Sequence, residues 1–232
     1  MNNFFCAENL YRKFEGITID LSIFAKENSM TVLLGKSGSG KSTVLRLISG
    51  LETLSEREDG KMTRIILNKN DITNLAPRKR NVGMVFQSHA LFPNMNVIEN
   101  VAYGLRCNGT SKKDAQKKAK ELLERFDLYT FENRKVETLS GGEAQRVSLA
   151  RTLITNPSLI LFDEPLSSLD APLRKQLAED IKKRQKQMGF TGIFVTHDIQ
   201  EAKMLADTII FIKDGKKIWE GRSENFSENI YA

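Results

Sequence analysis

Gly35-Lys36-Ser37-Gly38-Ser39-Gly40-Lys41-Ser42-Thr43 is the stretch on which the reading of this chain turns. It fits the phosphate-cradling pattern GxxxxGK[ST]. Met30 to Leu34, just before it, is an apolar run of strand length. After it, Val44, Leu45, Leu47, Ile48 and Leu51 recur at helical spacing. A strand, a glycine-rich loop and a helix are the context the pattern needs. The glycines let backbone N–H groups turn inward as an anion nest, and the helix N-terminus adds its dipole. Gly35 to Thr43 are therefore candidate phosphate-binding residues. Lys41 is placed to reach the β- and γ-phosphates of a nucleotide, and Ser42 to ligate Mg²⁺.

Working outward, Leu159-Ile160-Leu161-Phe162 is a second continuous apolar run, and it ends in Asp163-Glu164. Such a run suits a strand buried on both faces of a parallel sheet. Two carboxylates at the end of a buried strand are costly unless a cation or hydrogen bonds balance them. Beside a phosphate cradle, Asp163 is a candidate Mg²⁺ ligand and Glu164 a candidate general base for the attacking water. A third element, Leu139-Ser140-Gly141-Gly142-Glu143, carries the S-x-x-E spacing of a capping box at a helix start. Its glycines leave the backbone bare. Taken alone, it reads either as an ordinary cap or as a second phosphate site.

The remaining pattern predicts an α/β protein. Alternation over Ile17 to Ile23 predicts an antiparallel strand, and Arg64 to Leu67 a further one. Ser111 to Phe126 is predicted as an amphipathic helix. Ala115, Ala119, Leu122, Leu123 and Phe126 share one face, lysines cover the other, and Ser111 with Asp114 forms the N-terminal cap. Further helices are predicted over Ser140 to Thr155, Ala171 to Met188 and Gln200 to Leu205, with short strands at Ile193 to Val195 and Ile209 to Ile212. Residues 88–156 read as an inserted helical subdomain.

Composition bounds the class. The 232 residues, 40% hydrophobic and 28% charged, suit one globular domain with an insertion. A net charge of +6 fits a nucleic-acid binder, a protein at an anionic membrane surface, or a plain solvated basic surface. Cys6 and Cys107 form no CxxC pair, and His89 and His197 are the only histidines, so neither a zinc site nor a disulfide framework is expected. No apolar run approaches the ~20 residues that span a bilayer. The opening MNNFFCAEN lacks the pattern of a signal peptide. A membrane role would therefore run through a partner.

Leu139 to Glu143, followed by Ala144-Gln145-Arg146, resembles the signature motif of the ATP-binding cassette (ABC) ATPases. In the family's order, Val85-Phe86-Gln87 resembles its Q-loop, Ser167-Ser168-Leu169-Asp170 its D-loop, and Thr196-His197-Asp198 its switch-histidine segment. The resemblance runs from about Phe14 to Gly221. It implies an α/β P-loop NTPase core with a mostly parallel sheet, an N-terminal antiparallel β subdomain and an inserted α-helical subdomain. The core would span approximately 1–87 and 157–232. It also implies ATP and Mg²⁺ as ligands and ATP hydrolysis as the activity. The implied assembly is a head-to-tail dimer, with itself or with a second ABC subunit, that sandwiches ATP between the cradle of one subunit and Leu139–Glu143 of the other. Within it, His197 would hydrogen-bond the γ-phosphate, Gln87 would sense Mg²⁺ and that phosphate, and Ser168, Leu169 and Asp170 would form the D-loop. Phe14 falls where the family stacks adenine, with core packing as the competing reading and Tyr11 as the alternative stacker.

Asn81 to Gln87, Leu91-Phe92-Pro93 and Asn100 to Leu105 resemble import-type subunits, as do DEPLSSLDAPLR and IFVTHDIQEA. Nearest in pattern are those serving iron(III), polyamines, sulfate, molybdate, thiamine or sugars. This implies two transmembrane permease subunits, a solute-binding protein, and a peripheral location on the cytoplasmic face of the cell membrane. Leu91, Phe92 and Met95 would line a groove for a helix of the permease, or else pack within the helical subdomain. An exporter motor of the same family stays open. A soluble cassette acting on nucleic acid or the ribosome usually carries two cassettes or a coiled-coil insertion, so no nucleic-acid partner is expected. The chain departs from the family in three places. It stops soon after Gly221, so no C-terminal regulatory domain is expected; Thr53 to Met62 is long and charged; and Asn68-Lys69-Asn70 replaces a common glycine turn.

Overall fold

The computed structural model describes residues 4–231; the first three residues of the MNNFFCAEN segment, and Ala232, lie outside the described residues. The strand that feeds the cradle, β3 (Met30–Leu34), is buried at every position. Its alternation supplies two cores. Met30, Val32 and Leu34 pack with Ile160, Phe162 and Phe194 on the side of the sheet that carries most of the helices. Leu33 faces the other side with Leu45, Leu47, Leu161 and Val195. β3 lies between β8 (Thr191–Thr196) and β9 (Thr208–Lys213), parallel to both. β7 (Leu159–Asp163) and β6 (Val82–Val85) continue the parallel run beyond β8. These five strands aim their C-terminal ends at one edge of the molecule, where an open α/β sheet binds ligands.

The antiparallel part joins the same sheet. β1 (Phe5–Lys13) pairs with β2 (Thr18–Ala25) and with β4 (Arg64–Leu67), which turns into β5 (Asn70–Asp71). The turn between β4 and β5 uses Asn68 and Lys69 at φ 46° and 66°, the two positive values that a two-residue hairpin takes in place of glycine. One strand from the C-terminal end joins this N-terminal antiparallel part. β10 (Lys216–Arg222) inserts between β2 and β9, antiparallel to β9 and parallel to β2 at Lys216 and Asp20, giving the order β5-β4-β1-β2-β10-β9-β3-β8-β7-β6.

The Thr53–Met62 segment lies along the end of β1. Ser55 N–H donates to the Tyr11 carbonyl at 3.0 Å. The Arg57 fork grips Asp20 at 2.7 and 3.3 Å and Asp59 at 2.8 and 2.7 Å, above the Tyr11 ring.

Three helices follow β6. α2 (Val97–Cys107) begins with a capping box in which Asn96 Oδ1 accepts the Glu99 N–H and Glu99 accepts the Asn96 N–H. α3 (Lys112–Arg125) is capped by Ser111 and buries Ala115, Ala119, Leu122 and Leu123; Phe126 is buried just beyond its end. α4 (Gly141–Leu153) buries Val147, Leu149 and Ala150. The three share one apolar core with β7 and β8. α1 (Lys41–Ser49) covers the opposite face. α5 (Ala171–Met188) and α6 (Ile199–Leu205) precede β8 and β9, and the short α7 (Glu228–Tyr231) ends the described chain.

Candidate functional site

The loop after β3 turns into α1 through Gly40, the N-cap residue, at φ 95°. A Cβ on Gly40 would come within 2.3 Å of Ile19 Cδ1, and one on Gly35 within 2.2 Å of the Ile212 carbonyl oxygen. No side chain fits at either place, so bare backbone is a steric requirement of this loop. Lys41 is 3% exposed and folds back over the loop, donating to the carbonyls of Gly35 at 2.8 Å and Lys36 at 2.9 Å. Its ammonium lies 3.7 Å from Glu164 Oε1. Burial pushes the Lys41 ammonium below its ordinary value, while the Glu164 and Asp163 carboxylates pull it back up. Ser39 Oγ is buried and has no hydrogen-bond partner among the described residues. An orphaned hydroxyl inside an anion nest is a donor in want of an acceptor.

β7 delivers the two carboxylates. Asp163 Oδ1 accepts the Ser42 hydroxyl at 2.6 Å. This pairing of hydroxyl and carboxylate oxygens is the donor chemistry that Mg²⁺ takes, so the residues fit that ion. Glu164 adopts φ 44°, an uncommon backbone for a non-glycine residue, and its carbonyl is held by the N–H of Ser167 at 3.3 Å and the hydroxyl of Ser167 at 2.9 Å. Its Oε2 lies 3.1 Å from His197 Nδ1. Ile17, Lys41, Ser42, Thr43 and Glu164 face a cavity of about 210 Å³. A larger one of about 590 Å³ lies against Arg46, Gln87, Asp163 and Ser168. Cradle residues with Glu164, and Gln87 with Asp163 and Ser168, thus line two cavities bridged by the Ser42–Asp163 bond, and His197 reaches them through Glu164.

The third motif stands apart. Ser140 caps α4, its Oγ accepting the Glu143 N–H at 3.3 Å while Glu143 accepts the Ser140 N–H at 2.7 Å. That bond holds the Glu143 carboxyl below the ordinary glutamate value. Ser140 and Gly141 are exposed. None of the residues lining the cradle cavity comes from 139–143. Leu169 is half-buried and lies against Gly141, where a Cβ would approach Leu169 Cδ2 to 2.9 Å. Asp170 caps α5 through the Leu173 N–H at 3.0 Å.

Phe14 is 37% exposed, which sets core packing aside; the Arg12 guanidinium covers one face of its ring at 5.0 Å. Tyr11 is covered by Arg57 and by the Thr53–Met62 segment. The Leu91–Met95 loop divides between its two readings. Leu91 packs on the core, and Phe92 sits between the Tyr103 ring at 4.6 Å and Arg151. Met95, Tyr103, Arg106 and Lys112 line an open groove of about 430 Å³. Buried Asn100 fixes this loop, accepting the Phe92 N–H and donating to the carbonyls of Phe92, Met95 and Asn96. Sequence reasoning missed Ile17, Arg46 and Asn100, because an apolar, a basic and an amide residue at these places match no chemical pattern.

The family model described as ABC transporter matches residues 19–167. An Fe(3+) ions import ATP-binding protein of Pasteurella multocida (strain Pm70) is 43% identical over 217 residues, covering 93% of this chain and 60% of the relative. A spermidine/putrescine import ATP-binding protein of Clostridium novyi (strain NT) is 40% identical over 211 residues, covering 90% of this chain and 59% of the relative. The chain thus spans about three fifths of the length of these curated relatives. A crystal structure of the ADP conformation of an ATP-binding cassette of an ABC transporter superposes with a TM-score of 0.82 at 27% identity, covering 96% of this chain and 92% of that one. The glycine cradle and the paired carboxylates lie within the matched residues, and the family model covers more than half of the chain: the chain belongs to the ABC transporter family.

Proposed function

We propose that the chain is the ATP-hydrolysing subunit of an ABC importer for a small solute or ion. The observation that carries the reading is that Lys41, Ser42 and Glu164 line one cavity, with Asp163 bonded to Ser42 and His197 Nδ1 3.1 Å from Glu164 behind them. The nest formed by Gly35 to Thr43 binds the phosphates of ATP, and Lys41 moves its donors from the Gly35 and Lys36 carbonyls to phosphate oxygens. Ser42 and Asp163, with Gln87 on the neighbouring wall, would hold Mg²⁺, which supplies positive charge to the β- and γ-phosphate oxygens. Glu164 accepts the proton of the attacking water. His197 Nδ1 lies against the Glu164 carboxylate, and the ring hydrogen-bonds the γ-phosphate. Phe14 offers its free ring face to adenine.

Leu139–Glu143 of a second subunit, another copy or a paired ABC subunit, closes over the γ-phosphate. ATP shifts the pair toward the closed state because it gains contacts with both halves only there. Among the described residues no helix is long and apolar enough to cross a membrane. The groove beside Met95 and Tyr103 receives a helix of a permease subunit, which places the chain on the cytoplasmic face of the membrane as a peripheral subunit. The import names of the relatives support the direction of transport and a solute-binding partner.

The test is Glu164→Gln. ATP affinity is expected to stay at the wild-type level while steady-state hydrolysis falls roughly 10²–10⁴-fold, the usual contribution of a general base. Wild-type turnover in this variant would remove Glu164 from the mechanism.

A further inference from the structure

The geometry points to Arg174 as a positioning residue that locks the Ser168–Asp170 loop to the backbone on both sides of His197. This rests on the nucleotide-site reading above. Arg174 lies in the first turn of α5, four residues after Asp170. Its Nη2 donates to the Leu169 carbonyl at 2.8 Å, Nη1 faces Asp198 Oδ2 at 3.4 Å, and Nε lies 3.6 Å from Glu201 Oε1. One planar cation thus hydrogen-bonds the Leu169 carbonyl and Asp198 and lies at ion-pair distance from Glu201, joining the Ser168–Asp170 loop to the start of α6, a fixed fork geometry that lysine does not reproduce.

Both carboxylates lead to His197. The second oxygen of Glu201 accepts the buried Thr196 hydroxyl at 2.6 Å. Thr196 Oγ1 in turn accepts the Asp198 N–H at 2.9 Å. The other oxygen of Asp198 caps α6 through the N–H groups of Gln200 and Glu201, at 2.7 and 3.0 Å. The residue after His197 is therefore bonded to the guanidinium directly, and the residue before it is linked through the Glu201 ion pair. On its other side Arg174 fixes the carbonyl of Leu169, the residue that lies against Gly141 of the α4 tip. A shift of the α4 tip or of the Ser168–Asp170 loop when a second subunit docks would reach His197 through Arg174.

A neutral side chain at 174 leaves Asp198 and the 7%-exposed Glu201 as neighbouring carboxylates without their cation. A purely structural role would then appear as lost stability and nothing more, whereas a positioning role appears in turnover. Arg174→Ala and Arg174→Lys are to be compared with wild type and His197→Ala in the full chain, reading ATP Kd, kcat and melting temperature. Kd is expected to stay within about twofold, since the cradle is untouched, and kcat to fall about tenfold or more in Arg174→Ala. Lysine is expected to restore little of it. Adding Glu201→Gln to Arg174→Ala removes the unpaired buried charge; it is expected to recover melting temperature without recovering kcat.

Wild-type kcat in Arg174→Ala, or kcat returning together with melting temperature in the double variant, overturns the assignment of Arg174. Should Arg174→Ala fail to fold, Arg174→Lys decides alone, and wild-type kcat there overturns the proposal. A wild-type chain that does not hydrolyse ATP, or His197→Ala at full rate, instead overturns the nucleotide-site reading and the proposal with it.

Discussion

At the cradle, Lys41 is buried, its ammonium already holds two carbonyls, and Ser42 is bonded to Asp163. At the tip of α4, Ser140 and Gly141 are exposed, and a capping box takes up the N–H groups of Ser140 and Glu143. The N–H groups of Gly141 and Gly142, the first two of the helix, have no intrahelical acceptor. Both regions have the chemistry of an anion site. The first is assembled by one chain from a strand, a loop and a helix; the second stops at the exposed Ser140 and Gly141. On the proposed reading, half of the phosphate site is prebuilt and half is supplied when a second subunit docks.

Lys41→Ala breaks the prebuilt half and has the largest expected effect. Losing charge-assisted bonds worth about 1.5–3 kcal/mol each weakens ATP binding about a hundredfold or more by calorimetry. An affinity within a few-fold of wild type would move the phosphate site elsewhere. Gly141→Val attacks the other half. A single chain should keep its ATP affinity within about twofold while hydrolysis falls about tenfold or more, because the tip meets phosphate only in the assembled pair. If affinity fell as far as hydrolysis, the two regions would not be separable.

Phe14→Ala sharpens the comparison at the base end of the nucleotide. Stacking is worth about 1–3 kcal/mol, so a rise in Kd of about fivefold or more is expected for ATP, with no change for inorganic tripolyphosphate. The smallest effect is at the cap. Glu143→Ala should lower stability by about 1 kcal/mol near neutral pH. The Ser140 N–H lowers the folded pKa of Glu143, so its contribution is full above the ordinary glutamate value and is lost as pH falls through the lowered one. Melting curves of wild type and variant should therefore converge in acid and separate toward neutrality; a gap that widens in acid would contradict the cap.

The cradle, its flanking strand and helix, and the Asp163–Glu164 pair were legible because each is a local pattern: a continuous apolar run or a fixed spacing of glycines and charges. β3, β4 and α5 coincide with the runs read from sequence, at Met30–Leu34, Arg64–Leu67 and Ala171–Met188. β1 was hidden by a bulge. Asn9 at φ 51° shifts the register between Ala7 and Leu10, so the alternation that marks a half-buried strand is broken in its middle. β10 was hidden by Lys216, Lys217, Glu220 and Arg222, charged residues that stay exposed or half-exposed although the strand is interior to the sheet. The capping box of α4 could be read from spacing. That Leu169 lies against Gly141, and that Arg174 joins the Ser168–Asp170 loop to the start of α6, could not, since such contacts depend on how α4, α5 and α6 pack rather than on any local pattern.

The most direct test of a site shared between two chains is the mass and nucleotide content of Glu164→Gln with Mg²⁺ and ATP, by light scattering on a size-exclusion column. The shared site predicts a particle of twice the chain mass holding two ATP, which reverts to single chains when Gly141→Val is added. A Glu164→Gln chain that saturates with ATP and stays single would contradict it.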